Sequence, residues 1–193
     1  MSASPSGVIS CVPASGAGVC EIGFTAKDGT RHTVASDLRP LYLESSFAEY
    51  LRRLNDPDLV TFISVLEEGA RRLTDTHRQL FAALGLDMTL RGTRHHAYAA
   101  VSDGGTKVLE ELDATRIEEV LSVGDLGVRL ISTGEDGGFR SSIMLDGAEY
   151  SAQSLGMNIV VYSKKAKRVI DSVCFNTYSD LTASRKDPRY KRP

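Results

Sequence analysis

Residues 46–66, SFAEYLRRLNDPDLVTFISVL, contain a helix and a strand separated by a proline turn. Ser46 and Glu49 have the spacing of a capping box, which satisfies amide groups at the start of a helix. The apolar residues that follow lie on one helical stripe: Phe47, Tyr50, Leu51 and Leu54. Residues 55–57, Asn-Asp-Pro, end the helix, because the residue before a proline disfavours helical backbone. Residues 59–66 are mostly β-branched or aromatic and predict a buried strand.

A second helix is predicted directly after this strand. It begins near Thr74 and Asp75, which are favourable N-cap residues, and it ends at Gly85, which suits a left-handed C-terminal position. Its apolar side consists of Leu73, His77, Leu80, Phe81 and Leu84.

The rest of the chain predicts β structure. Two strand-like runs, at 19–25 and 31–35, flank an Asp-Gly turn and predict an N-terminal hairpin. Residues 106–123 fit either strands or a helix. Early helices followed by many strands predict an α+β fold in two layers. The remaining predicted strands are 86–91, 97–102, 107–111, 116–122, 126–132, 139–145, 157–162 and 168–175, with a short one around 8–12.

Composition excludes several classes of protein. The 193 residues are 41% hydrophobic and 25% charged, typical of a globular protein with its own core. A net charge of −2 argues against nucleic-acid binding. No apolar run approaches the ~20 residues of a membrane span, and no signal peptide is visible, so we expect a cytoplasmic or virion-associated protein. The three cysteines leave open a bridge between Cys11 and Cys20.

Motifs for chemistry are sparse. The chain lacks a phosphate-binding loop, a G-x-S-x-G elbow and a C-x₂₋₄-C or H-E-x-x-H metal motif. The adjacent His95 and His96 would point to opposite faces of a strand and cannot share one ion. We therefore expect no cofactor, no metal ion and no catalytic residue. Glu67, at the end of the buried strand, is the acid best placed to face a cavity.

Two segments together resemble a known family. Residues 46–105 include FAEYLRRLNDPDLVTFISVLEEGARRLTDTHRQLFAALGL and YAAVSDGG, and residues 142–178 read SIMLDGAEYSAQSLGMNIVVYSKKAKRVIDSVCFNTY. Both resemble the interleukin-like EMT inducer (ILEI) domain, also called the GG domain. That family occurs in secreted cytokine-like proteins, in the stem of an O-mannose N-acetylglucosaminyltransferase, in hyaluronan-processing proteins and in bacterial and phage proteins.

The resemblance implies a circularly permuted ILEI-like β-sandwich with two flanking helices and an extra N-terminal hairpin. In the family, the half that resembles residues 142–178 comes first, whereas here it comes last. Permutation is tolerated when the original termini lie close together at the surface. We expect a flexible arm over residues 1–18, a single α+β domain over 19–182 and a basic disordered tail over 183–193. A strand exchange between two copies is the alternative to permutation.

The resemblance also implies a function. Family members are non-enzymatic, and those in the glycosyltransferase stem are implicated in holding a glycan through an acid and two arginines. The acid corresponds to Glu67, one arginine falls near Arg94 or His95, and the other is replaced by Leu155. The expected ligand site is a polar pocket formed by Glu67, Glu68, Arg94, His95 and Asn158.

Two other functions remain open. The chain could be a structural or assembly protein, such as a phage particle or receptor-binding component, which binds a protein partner or a second copy through its arms and edges. It could also be an enzyme that uses Glu67 and His95 as an acid/base pair, which requires contact or one bridging water.

Overall fold

A computed structural model describes residues 20–25, 31–36, 46–88, 90 and 93–185. The chain consists of two compact units, residues 1–43 and residues 44–193. In the first, β1 (Cys20–Thr25) pairs antiparallel with β2 (Arg31–Ser36), which confirms the predicted hairpin. Its turn, the arm at 1–18 and the strand predicted around 8–12 lie outside the described residues. The single domain predicted over 19–182 stays a prediction.

The second unit is a mostly-sheet α+β fold with two helices, as predicted. The helices are α1 (Phe47–Leu54), with Ser46 as its N-cap, and α2 (Asp75–Ala83), with Thr74 as its N-cap. The strands of this unit are β3 (Leu59–Leu66), β4 (Ala97–Asp103), β5 (Thr106–Asp113), β6 (Arg116–Val123), β7 (Leu126–Thr133), β8 (Ser142–Leu145), β9 (Ala148–Glu149), β10 (Gly156–Ser163), β11 (Arg168–Phe175) and β12 (Ala183–Ser184).

These ten strands form one curled mixed sheet. Six of them pair antiparallel in the order β5-β4-β3-β10-β11-β12. The other four pair antiparallel in the order β6-β7-β8-β9. A single parallel pairing, Leu66 with Thr133, joins β3 to β7 and connects the two groups.

The strand β3 lies at the centre of this arrangement. Ile63 pairs with Ala100 on β4 and with Ile159 on β10, so residues 46–105 and 142–178 share one sheet. All eight residues of β3 are buried, because strands flank it on both sides and side chains cover it on both faces. This explains why its sequence is a continuous apolar run rather than an alternating one.

The two faces of the central strands have different coverings. On one face, the Phe47 ring of α1 lies 4.6 Å from Phe175 of β11 and 6.1 Å from Phe81 of α2, measured between ring centroids. On the other face, the strands β6, β7 and β8 supply the apolar partners. The cluster on that face consists of Val60, Phe62, Ala97, Ala99, Val101, Ile117, Val123, Val128, Leu130, Ile143, Leu145, Val160 and Val169.

Three sequence-based expectations have a clear outcome. Residues 106–123 form the strands β5 and β6, not a helix. The strand predicted at 86–91 is wrong, because the described residues there have no regular strand structure. The disordered tail predicted over 183–193 is wrong for residues 183–185, because Ala183 pairs with Phe175 and Arg185 forms a buried ion pair. Residues 186–193 lie outside the described part.

Candidate functional site

Glu67 follows the buried end of β3 in a strained conformation. Its φ of 66° lies in the left-handed region, which side-chain-bearing residues rarely adopt. Its backbone N–H donates a 2.8 Å hydrogen bond to the carbonyl oxygen of Thr133 at the end of β7. The parallel pairing of Leu66 with Thr133 therefore fixes the direction in which Glu67 leaves the sheet.

His95 contacts the same turn two residues further along, at Glu135. It precedes β4, its φ of 58° is also left-handed, and its carbonyl oxygen accepts a 3.1 Å hydrogen bond from the Glu135 N–H. Gly134 makes this approach possible, since a Cβ there would lie 2.1 Å from the His95 carbonyl oxygen. Strained backbone of this kind persists only where the surrounding structure holds it, and it is concentrated at functional sites.

The His95 side chain faces a carboxylate without a hydrogen bond. Its Nδ1 atom lies 3.6 Å from Oε2 of Glu135, which is beyond hydrogen-bond distance. That Nδ1 is enclosed and has no hydrogen-bond partner among the described residues. The two side chains are 34% and 60% exposed, so an imidazole and a carboxylate are both accessible at this point.

An exposed aromatic ring completes the turn. Phe139 is 79% exposed, and the turn closes behind it because Arg140 exchanges two hydrogen bonds with Oγ1 of Thr133, at 2.9 and 3.0 Å. We define the Glu67–His95 corner as Glu67, Arg94, His95, Glu135 and Phe139. Glu135 and Phe139 were not predicted from the sequence, although an aromatic residue directly after a Gly-Gly pair is a usable signal.

Glu68 and Asn158, two of the five predicted site residues, are fully engaged inside the fold. Glu68 is 1% exposed, and its Oε1 accepts the backbone N–H groups of Ala70 and Arg71. Asn158 is completely buried. Its side-chain oxygen accepts the Ser154 N–H, and its NH₂ group donates to the Ser154 carbonyl oxygen. Both side chains hold loops in place, so we leave them out of the corner.

Arg94 and Leu155 lie at the margins of the site. The Arg94 side chain is exposed, and its carbonyl oxygen is 2.7 Å from Nδ1 of His96. Leu155 is 38% exposed and precedes Gly156, which pairs with Leu66, so it lies beside the end of β3. Position 155 therefore presents an apolar side chain, not a basic one, beside the end of β3.

The described residues contain neither a metal-binding cluster nor a membrane-spanning helix. Among residues 46–88, 90 and 93–185, no group of three or more His, Cys, Asp or Glu side chains could hold an ion. The described helices include none long and apolar enough to cross a membrane. The Cys174 thiol is buried and lies 3.3 Å from the Leu155 carbonyl oxygen, an environment that does not favour a reactive thiolate.

Comparison with known proteins gives no family assignment. No protein-family model matches the chain, and no curated protein or solved structure matches it either. The geometry of the Glu67–His95 corner therefore carries the functional argument.

Proposed function

We propose that this chain is a non-enzymatic binding module with a circularly permuted ILEI-like core, and that it recognises a glycan at the Glu67–His95 corner. The observation that carries the proposal is the convergence of two left-handed residues, Glu67 and His95, on the single turn that also bears Glu135 and Phe139.

Support for the permuted core comes from the meeting of the two segments. Phe175, near the end of the second segment, packs against Phe47, at the start of the first, with the ring centroids 4.6 Å apart and the rings tilted by 46°. The Arg72 N–H donates to the Thr177 carbonyl oxygen at 3.0 Å, and the Thr177 hydroxyl donates to the Glu68 carbonyl oxygen at 2.7 Å. A short linker could therefore join the two segments in the family order, as permutation requires.

Support for a glycan ligand comes from the side chains at the corner. Carboxylates such as Glu67 and Glu135 accept hydrogen bonds from hydroxyl groups, and charge-assisted bonds of this kind fix orientation. The exposed Phe139 ring offers an apolar face for the C–H side of a sugar ring. Binding sites combine apolar surface with a few polar groups in this way.

Binding is a better reading of this geometry than acid/base catalysis. A general base needs a group that orients its imidazole through a hydrogen bond. Here the nearest carboxylate oxygen, on Glu135, is 3.6 Å from Nδ1 of His95. Among the described residues, no hydrogen bond to Nδ1 orients the His95 ring, which favours recognition over proton transfer.

The proposal is tested with a glycan array followed by calorimetric titration of every hit. Phe139→Ala and Glu135→Gln should each weaken binding at least tenfold, while Val120→Ala should leave it unchanged. Val120 is the matched control, because its side chain is also 75% exposed but lies on β6, away from the turn after β7.

Two results would overturn the proposal. One is the absence of detectable binding to any glycan on a broad array of neutral and amino sugars. The other is turnover: glycan hits are incubated with stoichiometric protein and separated by chromatography, and a new product would show that the chain is an enzyme.

A further inference from the structure

A groove of about 530 Å³ opens at the other end of β10. The Glu67–His95 corner lies near Gly156, which begins that strand, whereas Tyr162, near its end, lines the groove. Six residues separate these positions, or about 20 Å at ~3.3 Å per strand residue. The groove is therefore a separate site, and its volume falls within the roughly 300–1,000 Å³ of ligand pockets.

The floor of the groove is the open end of the core between the two groups of strands. Leu126, Leu145 and Val169 line it, and each also belongs to or packs against the cluster between the strand groups. Tyr150 and Tyr162 add partly buried aromatic rings. A ligand that enters here meets a mainly polar lining around a small apolar floor that is continuous with the core, and this floor has room for one aliphatic or aromatic group.

The rim of the groove carries an excess of positive charge. Lys167 is the last residue of the turn between β10 and β11, and Arg168 is the first residue of β11. Both are exposed, and neither forms an ion pair with another described residue. By contrast, Lys164, three residues before Lys167, pairs with Asp103 at 2.6 Å. Among the described residues that line the groove, the acid is Asp146, which already accepts the Gly127 N–H through Oδ1.

An exposed strand edge borders the groove on one side. The strand β9, which includes the lining residue Ala148, pairs with β8 alone among the described strands. The outer side of β11 is not open in the same way, because Asp171 and Ser172 are buried and the Ser172 N–H already donates to Oδ1 of Asp171 at 2.9 Å. Exposed strand edges provide main-chain hydrogen bonds to an extended peptide.

We propose that this groove docks a short, extended acidic peptide, with one leucine or aromatic side chain on the apolar floor and carboxylates at Lys167 and Arg168. Charge complementarity selects the acidic peptide, and the floor selects its apolar residue. A nucleic acid fits less well, because it would bring many phosphates to a rim with two cations and one carboxylate.

The test measures fluorescence anisotropy with three labelled hexapeptides against the full chain. The probe Glu-Glu-Leu-Phe-Glu-Glu should bind saturably and at least tenfold more tightly than Lys-Lys-Leu-Phe-Lys-Lys or Glu-Glu-Ser-Ser-Glu-Glu. Amide shifts in an NMR titration should centre on residues 145–148 and 167–169.

Two charge-reversal variants near this turn distinguish peptide docking in the groove from general electrostatic attraction to the protein surface. Lys167→Glu/Arg168→Glu should weaken binding at least tenfold, whereas Lys165→Glu should change it less than twofold, because Lys165 is exposed but does not line the groove. The proposal would be overturned if both variants lost affinity equally, or if the Ser-Ser peptide bound as tightly as the Leu-Phe peptide. It would also be overturned if single-stranded DNA or a uronate oligosaccharide bound more tightly than the acidic peptide. Glycan binding at the Glu67–His95 corner can succeed or fail independently of these results.

Discussion

Arg185 donates two hydrogen bonds of 2.8 Å to Asp171, one to each carboxylate oxygen. Asp171 is completely buried, and the Arg185 side chain is only 11% exposed. The Tyr50 hydroxyl donates to the same carboxylate at 3.0 Å, and burial, followed by the charge of Asp171, raises the pKa of Tyr50. These three groups tie residue 185 to β11 and α1.

Removing Arg185 should strongly destabilise the fold. Arg185→Met leaves the Asp171 carboxylate buried without its cation, and loss of one partner of a buried pair costs about 3–5 kcal/mol. The free energy of unfolding in urea measures this loss.

The double variant Asp171→Asn/Arg185→Met provides the control for this first prediction. It removes the buried charge together with its partner and should recover much of the stability, because the asparagine oxygen can accept the Ser172 N–H that Asp171 accepts now, while its NH₂ donates to the Tyr50 hydroxyl oxygen. The exposed Lys165→Met should change stability by less than about 0.5 kcal/mol. If Arg185→Met unfolds like the wild type, the ion pair does not hold residue 185 in solution.

His77 should make the fold sensitive to mild acid. Its imidazole is buried beside Phe47, its Nδ1 accepts the Thr74 N–H at 3.1 Å, and burial lowers the pKa of His77 from 6.5. Below about pH 6.5 the unfolded chain then binds the proton more readily than the folded chain, so stability falls as pH falls.

His77→Gln should remove this contribution of His77 to acid destabilisation. Glutamine at this third helical position can still accept the Thr74 N–H, which preserves the capping box. Urea unfolding at pH 7.5 and pH 5 should show a smaller loss in His77→Gln than in the wild type. His96→Gln, the control, should keep the wild-type loss. A glutamine variant with the full wild-type pH dependence would contradict the assignment to His77.

The helices and the central strand could be predicted because their signals are local. Ser46 accepts the Glu49 N–H as a capping residue should, although the Glu49 carboxylate pairs with Arg52. The apolar stripe of α1 is fully buried, and β3 has the bounds that its composition predicts. Such elements depend on side chains a few residues apart, and a sequence displays that spacing directly.

The Glu67–His95 corner could be predicted only in part, because its assembly depends on distant contacts. Glu67 was identifiable as the acid after a buried strand. The relation of His95 to Glu135 and Phe139 depends on the pairing of Leu66 with Thr133, which lies 67 positions later in the chain and has no local signature.

The prediction of a strand at 86–91 failed for the same reason, because the structure there depends on a long-range contact. Its alternating apolar residues are indeed buried, but the N–H groups of Asp87 and Met88 donate to the Glu110 carboxylate, both at 2.8 Å. The Tyr98 hydroxyl donates to the same carboxylate at 3.0 Å. One side chain thus takes the place of a partner strand.

Glu110→Gln should therefore destabilise the fold by about 1–3 kcal/mol, because the glutamine NH₂ would face a backbone donor and leave it without an acceptor. Glu111→Gln is the matched control on the same strand. Burial, followed by the charge of Glu119, raises the pKa of Glu111, so neutralising it should leave stability unchanged or slightly increased. Urea unfolding at pH 7 compares the two variants. Equal effects would show that Glu110 has no special role.

Gly134 is the backbone position on which the Glu67–His95 corner depends most directly. An added Cβ would lie 2.1 Å from the His95 carbonyl oxygen and 2.8 Å from that of Ala114, and neither backbone atom can move as a flexible side chain would. Gly134→Ala should cost about 1–3 kcal/mol of stability through overpacking and should displace His95 from Glu135. Gly127→Ala, at the other end of β7, should be tolerated, because its nearest neighbour is Oδ1 of Asp146 at 3.5 Å. Urea unfolding and glycan titration of both variants measure the changes in stability and affinity. If the Gly134→Ala protein kept wild-type stability and affinity, the close approach of His95 to the turn would be dispensable.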